Sequence, residues 1–148
     1  MKKENILIGV ALGSALSLIG GLLTIIGVFL RWGRLSLISG WDMITTTISG
    51  GNLIVFLVLI FGIVGFFGGL VLVSAFIGNW TLAVKRRITY FLILVGFIAA
   101  VLCAWYFAEY VSPHPLPYGF IVSWLGAVLL VIGSATDETL LRLPRRAR

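Results

Sequence analysis

Four long apolar runs dominate this chain; they occupy residues 6–30, 53–77, 88–108 and 118–135, and none contains a charged residue. An α-helix needs about 20 apolar residues to cross the ~30 Å hydrocarbon core of a bilayer. The sequence therefore predicts one all-α transmembrane domain over residues 1–148. We expect an up-down-up-down four-helix bundle with spans at about 6–30, 53–77, 88–111 and 118–135.

The composition agrees with a protein covered by membrane lipids. Of 148 residues, 60% are hydrophobic and 11% are charged. A small soluble domain cannot enclose that much apolar surface, so lipid must cover the excess. The segments between the runs are too short to form a separate soluble domain.

The basic residues are distributed unevenly around the predicted spans. Nine of the eleven flank one side of the bundle, namely Lys2, Lys3, Lys85, Arg86, Arg87, Arg142, Arg145, Arg146 and Arg148, while Arg31 and Arg34 lie on the other. This positive-inside asymmetry predicts a multi-pass protein of the cell membrane with both termini in the cytoplasm. It explains the net charge of +6 by topology and by attraction to anionic lipid headgroups, and we expect no nucleic-acid partner.

The residue types that carry chemistry are scarce. Cys103 is the single cysteine and His114 the single histidine, so the chain offers no disulfide, no zinc pair and no Ser-His-Asp set. Cys103 is predicted to be a packing residue. We therefore expect no enzymatic activity, no cofactor and no metal site.

The first outer loop contains a helix signal. Ser39-Gly40-Trp41-Asp42 has the spacing of a capping box, in which Ser39 accepts from a backbone amide and Asp42 reaches back. Apolar residues then recur at helical spacing opposite the face of Thr45 to Thr47. The loop is predicted to form a short helix on the outer membrane surface.

Small residues recur at intervals of four within the spans. They are Gly9, Gly13, Ser17 and Gly21 in span one, Gly65 and Gly69 in span two, Gly96, Ala100, Ala104 and Ala108 in span three, and Gly119, Ser123 and Ala127 in span four. In lipid, such stripes let helix backbones approach closely and pack. Two interpretations stay open: the stripes hold one subunit together, or one stripe, on span one or three, contacts another copy of the chain or another membrane subunit.

Four charged residues near the outer boundary form a possible polar site: Arg31, Arg34, Asp42 and Glu109. Glu109 is taken as the only acid near a span. An acid at membrane depth suggests proton transfer, whereas one at the boundary pairs with a neighbouring arginine. Its position favours a salt bridge with Arg31 or Arg34.

Aromatic residues cluster near the predicted membrane boundaries. Trp32, Trp41 and Trp80 are explained by the interfacial belt, in which amphipathic rings lie at headgroup level. Trp105 and Trp124 lie deeper. They are expected to pack against a neighbouring helix, with an outward-facing cavity as the alternative.

The Arg31-Trp32 pair, the Ser39-Gly40-Trp41-Asp42 segment and residues 126–133 of span four resemble those of small four-span prokaryotic membrane proteins of uncharacterised function. The topology is also similar to that of claudin-like proteins, with four spans, cytoplasmic termini and a tryptophan in the first outer loop. This loop lacks the claudin cysteine pair and is too short for the claudin extracellular sheet. Neither resemblance assigns a role to a residue.

The sequence favours a non-enzymatic accessory or structural subunit that packs through Gly/Ala helix faces. The alternative is a small transporter or channel that works as an oligomer and is lined by Thr45 to Thr47, Trp105, Trp124 and Glu109. A third hypothesis is an auxiliary protein that binds a lipid or quinone. A polar cavity reaching the midplane would favour transport, whereas a dry, close-packed centre would favour a structural role.

Overall fold

The computed structural model describes residues 3–32, 39–46, 50–78, 80–111 and 117–142, and the side chains of residues 12–32, 39–42, 44–45, 52–78, 80–109 and 117–137. The helices are α1 (Lys3–Phe29), the short α2 (Gly40–Thr46), α3 (Gly50–Ile77), α4 (Leu82–Tyr106) and α5 (Tyr118–Arg142). A single π-helical turn, Phe107–Val111, continues α4. The predicted all-α four-helix bundle is confirmed, and each long helix contains a stretch long and apolar enough to cross a membrane.

The helices extend beyond the predicted spans at the end of the bundle that carries the chain termini. The third span was predicted to begin at residue 88, but α4 begins at Leu82. Lys85, Arg86 and Arg87 therefore lie inside its first turns and not between two spans. α5 continues to Arg142. The apolar run ends where charges begin, but backbone hydrogen bonding continues past that point because it does not depend on side-chain polarity.

The four long helices form a closed ring. α1 packs against α3 and α5, and α4 packs against the same two helices from the opposite side. The first and last helices of the chain are therefore neighbours and run antiparallel. We call the end with the chain termini the terminal end, and the end with α2 the loop end.

Two apolar clusters fill the ring. The cluster at the loop end is the larger and consists of Val28, Trp32, Ile54, Val55, Val58, Leu59, Cys103, Tyr106 and Phe120. The second consists of Leu72, Leu92, Val95 and Leu130. Cys103 is completely buried in the first cluster, which confirms its predicted packing role.

The predicted capping box at the start of α2 is confirmed. The Asp42 amide donates to Ser39 Oγ at 3.1 Å, and the Ser39 amide donates to Asp42 Oδ2 at 3.1 Å. Each side chain thus satisfies a backbone N–H of the other residue. The helix is also tied to α1, because the Gly40 amide donates to the Leu30 carbonyl at 3.0 Å.

The interfacial prediction for Trp32 is wrong. Its side chain is 0% exposed and lies inside the bundle, where the ring makes edge contacts with Tyr106 and Phe120 at centroid distances of 4.9 and 6.4 Å. The indole nitrogen donates to the Gly27 carbonyl at 2.8 Å, so the polar atom has a partner inside the protein. Trp41 and Trp80 are each 45% exposed, and the Trp41 ring stacks on Phe29.

Candidate functional site

The contact between α1 and α5 is lined by glycines that recur every seven residues on both helices. Seven residues are close to two helical turns, so such residues share one face. Because the helices are antiparallel, the glycines meet in three pairs, Gly13 with Gly133, Gly20 with Gly126, and Gly27 with Gly119. We call this contact the glycine seam.

The backbones touch along the seam. A methyl group added at Gly20 would lie 2.6 Å from the Gly126 carbonyl oxygen, and one added at Gly126 would lie 2.7 Å from the Gly20 carbonyl oxygen. Real Cβ atoms essentially never come that close to backbone atoms. Any larger residue at these positions would therefore separate the two helices.

Hydroxyl groups flank the glycines and bond across the same contact. Near the loop end, Ser123 Oγ donates to the Thr24 carbonyl oxygen at 3.2 Å. Nearer the terminal end, Ser17 Oγ and Ser134 Oγ lie 3.0 Å apart. All four side chains are buried, so each hydroxyl depends on the protein for its partners.

A carboxyl group lies at the terminal end of the seam. Asp137 is 0% exposed and packs against Gly13, and its Oδ2 accepts a hydrogen bond from Ser14 Oγ at 3.0 Å. Its other oxygen, Oδ1, is buried and has no hydrogen-bond partner. No lysine, arginine or histidine among the described side chains forms an ion pair with Asp137.

The sequence prediction that Glu109 is the only acid near a span is therefore wrong. Asp137 was missed because the apolar run was ended at residue 135, before the acid. A helical signal was present, since Asp137 follows Gly119 by 18 residues, five full turns, and so shares its face. The seven-residue spacing of the glycines was the second missed signal.

The predicted helix-packing residues separate onto different contacts. Gly13 and Ser17 face α5, but Gly21 faces α3, where it lies against Gly65 and Phe66. Gly69 contacts Leu18 of α1. The four-residue stripe of span one thus serves two neighbours, because four residues advance a helix by more than one turn and the stripe winds around it.

The span-three positions also divide. Gly96 lies against Ala127 and Val131 of α5. Ala100 is half-buried, whereas Ala104 and Ala108 are exposed at the surface of the bundle. Gly9 lies in α1, but its surroundings are outside the described side chains.

The possible outer polar site is only partly described. Arg31 and Glu109 are exposed, and Arg34, like His114, lies outside the described residues. The Asp42 carboxylate binds Ser39, with the Ser39 hydroxyl donating to Oδ2 at 2.7 Å. These hydrogen bonds from the Ser39 side chain and backbone hold the pKa of Asp42 below its ordinary value of 3.8.

The two deeper tryptophans do not pack inside the bundle. Trp105 is 58% exposed and Trp124 is 40% exposed, so both rings lie at the surface of the bundle, and their packing against a neighbouring helix stays a prediction. Trp124 borders an apolar surface groove of about 420 Å³ between α4 and α5, lined by Ala104, Phe107, Phe120, Ile121, Trp124 and Leu125. The groove opens outward and offers almost no polar atoms.

The donor groups of the seam are a carboxylate and hydroxyls, which suit a proton or a hard cation better than a soft metal. Among the described residues, no three His, Cys, Asp or Glu side chains come together. Comparison of the chain with protein-family models, curated proteins and solved structures finds no match. The resemblance of the first loop to small four-span prokaryotic proteins stays a prediction.

Proposed function

We propose that this chain is a non-enzymatic subunit of the cell membrane, with cytoplasmic termini, that packs against copies of itself or against a larger membrane complex. The observation that carries the proposal is the glycine seam. The seam brings α1 and α5 into backbone contact, and the two apolar clusters fill the ring in which a pathway through this bundle would have to run. A close-packed centre of this kind is what a structural role predicts.

The surface of α4 supports the same proposal. The glycines of α1 whose surroundings are described pack within the chain, so we assign the assembly face expected on span one or three to α4. Its exposed Ala104 and Ala108, beside exposed Trp105, form a small-residue face at the surface of the bundle, next to the groove that Ala104 lines. Small residues allow close approach of a second helix, and a neighbouring tryptophan supplies contact area.

Purification in a mild detergent tests the assembly. We expect a species heavier than one chain with its detergent, or a copurifying membrane protein. Ala104→Leu should reduce the assembled fraction, since the added bulk holds the partner helix away, while Ala83→Leu, at an exposed position at the other end of α4, should not. A monodisperse wild-type monomer that binds nothing would refute the proposal. If Ala104→Leu assembles as wild type does, the small-residue face of α4 is not the assembly face.

Accessibility labelling tests the topology. Cys103 is buried, so single cysteines introduced near residue 2, residue 36 and residue 146 report on each side separately. The nine-to-two distribution of basic residues predicts labelling of the two terminal positions only from the cytoplasm. Labelling of either terminus from outside would overturn the orientation.

Asp137 favours the second candidate function, a small transporter of cations that works as an oligomer. A buried ionisable group is a common feature of ion and proton pathways. The residues first expected to line such a pathway, Trp105, Trp124 and Glu109, lie on the surface of the bundle, where a contact between copies of the chain would enclose them. Cation flux into vesicles containing the purified protein, compared between wild type and Asp137→Asn, tests this candidate.

A further inference from the structure

Asp137 is the one side chain of the glycine seam whose hydrogen bonding is incomplete. A buried carboxylate has about four acceptor positions, and the structure fills one, through Ser14 Oγ at 3.0 Å. Oδ1 has no partner although the residue is 0% exposed. Buried polar atoms are normally satisfied, so an unsatisfied carboxylate oxygen indicates a group that the protein itself does not supply.

Among the described side chains, none gives Asp137 a compensating charge. Gly13, Ser14 and Gly133 lie closest on α1 and α5, and none of them titrates. The basic residues on neighbouring elements whose side chains are described, Lys85, Arg86 and Arg87 of α4, form no ion pair with Asp137. A lone negative charge in a poorly polarisable interior is unfavourable, and a bound positive ligand removes this penalty.

The remaining polar groups of the site are oxygen atoms. Ser14 adjoins the carboxylate, and Ser17 and Ser134 form a hydroxyl pair one helical turn deeper along the seam. Oxygen donors bind hard cations. The touching backbones at Gly13 and Gly133 exclude a large ligand.

The site lies near the terminal end of the bundle. α5 continues five residues beyond Asp137, to Arg142, which corresponds to about 8 Å of helix. An ion that enters from the terminal end would not have to cross the bundle to reach Asp137. The packed glycine pairs, Gly20 with Gly126 and Gly27 with Gly119, close the seam beyond it.

We propose that Asp137, with Ser14, Ser17 and Ser134, forms an internal binding site for a small monovalent cation, a proton or a sodium ion, that stabilises the contact between α1 and α5. This inference goes beyond the proposed subunit role and does not depend on assembly. Binding neutralises the carboxylate and completes the coordination of Oδ1. Loss of the cation leaves a buried charge at the contact and weakens the packing of α1 on α5.

The test is thermal unfolding of the purified full-length chain, followed by tryptophan fluorescence. In one titration sodium replaces a bulky organic cation at fixed pH and ionic strength, and in the other pH is varied without sodium. We expect the unfolding temperature of wild type to rise by several degrees in one of them, because a ligand that binds only the folded state stabilises it. The responding titration identifies the ligand as sodium or the proton.

Three variants identify the binding group. Asp137→Asn, which keeps the shape and removes the charge, should abolish the response, and Ser14→Ala should change its midpoint without abolishing it. Glu109→Gln, which neutralises an exposed acid at the other end of the bundle, should retain the full response. If Asp137→Asn does not fold, the response of wild type to the two titrations and the displaced midpoint in Ser14→Ala still test cation binding at this site.

The proposal fails if wild type responds to neither titration. It also fails if Asp137→Asn folds and responds as wild type does, or if Glu109→Gln loses the response. Loss of the response in Asp137→Asn alone, together with a displaced midpoint in Ser14→Ala, supports the site as described.

Discussion

The space between α1 and α5 is filled by different kinds of side chain at the two ends of their contact. At the loop end, one large side chain, Trp32, fills the space. Its Nε1 donates to the Gly27 carbonyl, and the backbone carbonyl of Trp32 accepts from the Tyr106 hydroxyl at 3.3 Å. At the terminal end, glycines and serines fill the space, and the Asp137 carboxyl group has one unsatisfied oxygen.

Because of this difference, no described buried side chain of the loop end has an unsatisfied group for a ligand to bind, whereas the terminal end has one in Asp137. The backbone at the loop end is also bonded between elements, since the Gly119 amide donates to the Arg31 carbonyl at 2.9 Å. These polar groups thus depend only on the protein for their partners. Stability at the loop end should therefore follow packing, whereas stability at the terminal end should also follow the solution conditions.

The largest effect is expected for Trp32→Ala. Removing this fully buried ring leaves a cavity beside Tyr106 and Phe120, and large-to-small changes of this type cost about 3–5 kcal/mol. Trp41→Ala, at a half-exposed ring on the surface of α2, is the matched control and should cost much less. Thermal unfolding in detergent measures both.

A Trp32→Ala variant as stable as Trp41→Ala would show that the large side chain does not hold the loop end together. It would also return Trp32 to the interfacial role suggested by its place beside Arg31. The loop end could then no longer be described as the end that side-chain packing alone stabilises.

The next largest effect is expected for Gly20→Leu, in the middle of the glycine seam. The added side chain would meet the backbones of Gly126 and Leu130, so the helices must separate, at a cost of about 3 kcal/mol, the upper part of the range for overpacked cores. Ala15→Leu adds similar bulk to the exposed face of α1 and should be nearly neutral. Equal unfolding temperatures of the two variants would contradict close backbone contact between α1 and α5 at Gly20.

The sequence predicted the helices well because lipid leaves few alternatives for long uncharged runs. It also predicted the short helix α2, since the Ser39 and Asp42 capping box is a local signal that needs no tertiary context. It did not predict which faces meet. α1 carries small residues on two faces, so Gly13 and Gly21 looked equivalent although one packs on α5 and the other on α3.

The candidate site was harder to predict for a different reason. Asp137 lies where an apolar run ends, and a charge at that place normally marks the membrane boundary. Only the antiparallel pairing of α5 with α1 places Gly13 against Asp137 and buries the carboxyl group. Burial of that kind is a property of two segments 123 residues apart, which no local pattern reveals.

A smaller effect is expected at the capping box of the loop end. Ser39→Ala removes the hydroxyl that caps α2, and loss of such a cap costs about 1 kcal/mol. We expect faster amide hydrogen exchange in residues 40–46 and unchanged exchange in α5. Exchange that rises equally in both segments would show that α2 is not capped locally.

The same capping box predicts a pH effect of known sign. The pKa of Asp42 is lowered by its hydrogen bonds from Ser39, so this stabilisation is present above the ordinary value of 3.8 and is lost as the pH falls through the lowered pKa. A carboxyl NMR titration of Asp42 should give a midpoint below 3.8 in wild type and one nearer to it in Ser39→Ala. A wild-type midpoint at or above 3.8 would contradict the observed geometry.

The smallest effect is expected for Ser17→Ala at the terminal end. The Ser17 and Ser134 hydroxyls bond only to each other across the seam at 3.0 Å, and interhelical hydrogen bonds in membrane proteins contribute about 0.6 kcal/mol on average. Ser17→Ala should therefore destabilise the chain slightly, and the double variant Ser17→Ala/Ser134→Ala should destabilise it no further, since it leaves no hydroxyl without a partner. A loss of several kcal/mol in Ser17→Ala alone would mean that the hydroxyl pair holds the terminal end as firmly as Trp32 holds the loop end, and the contrast between the two ends would disappear.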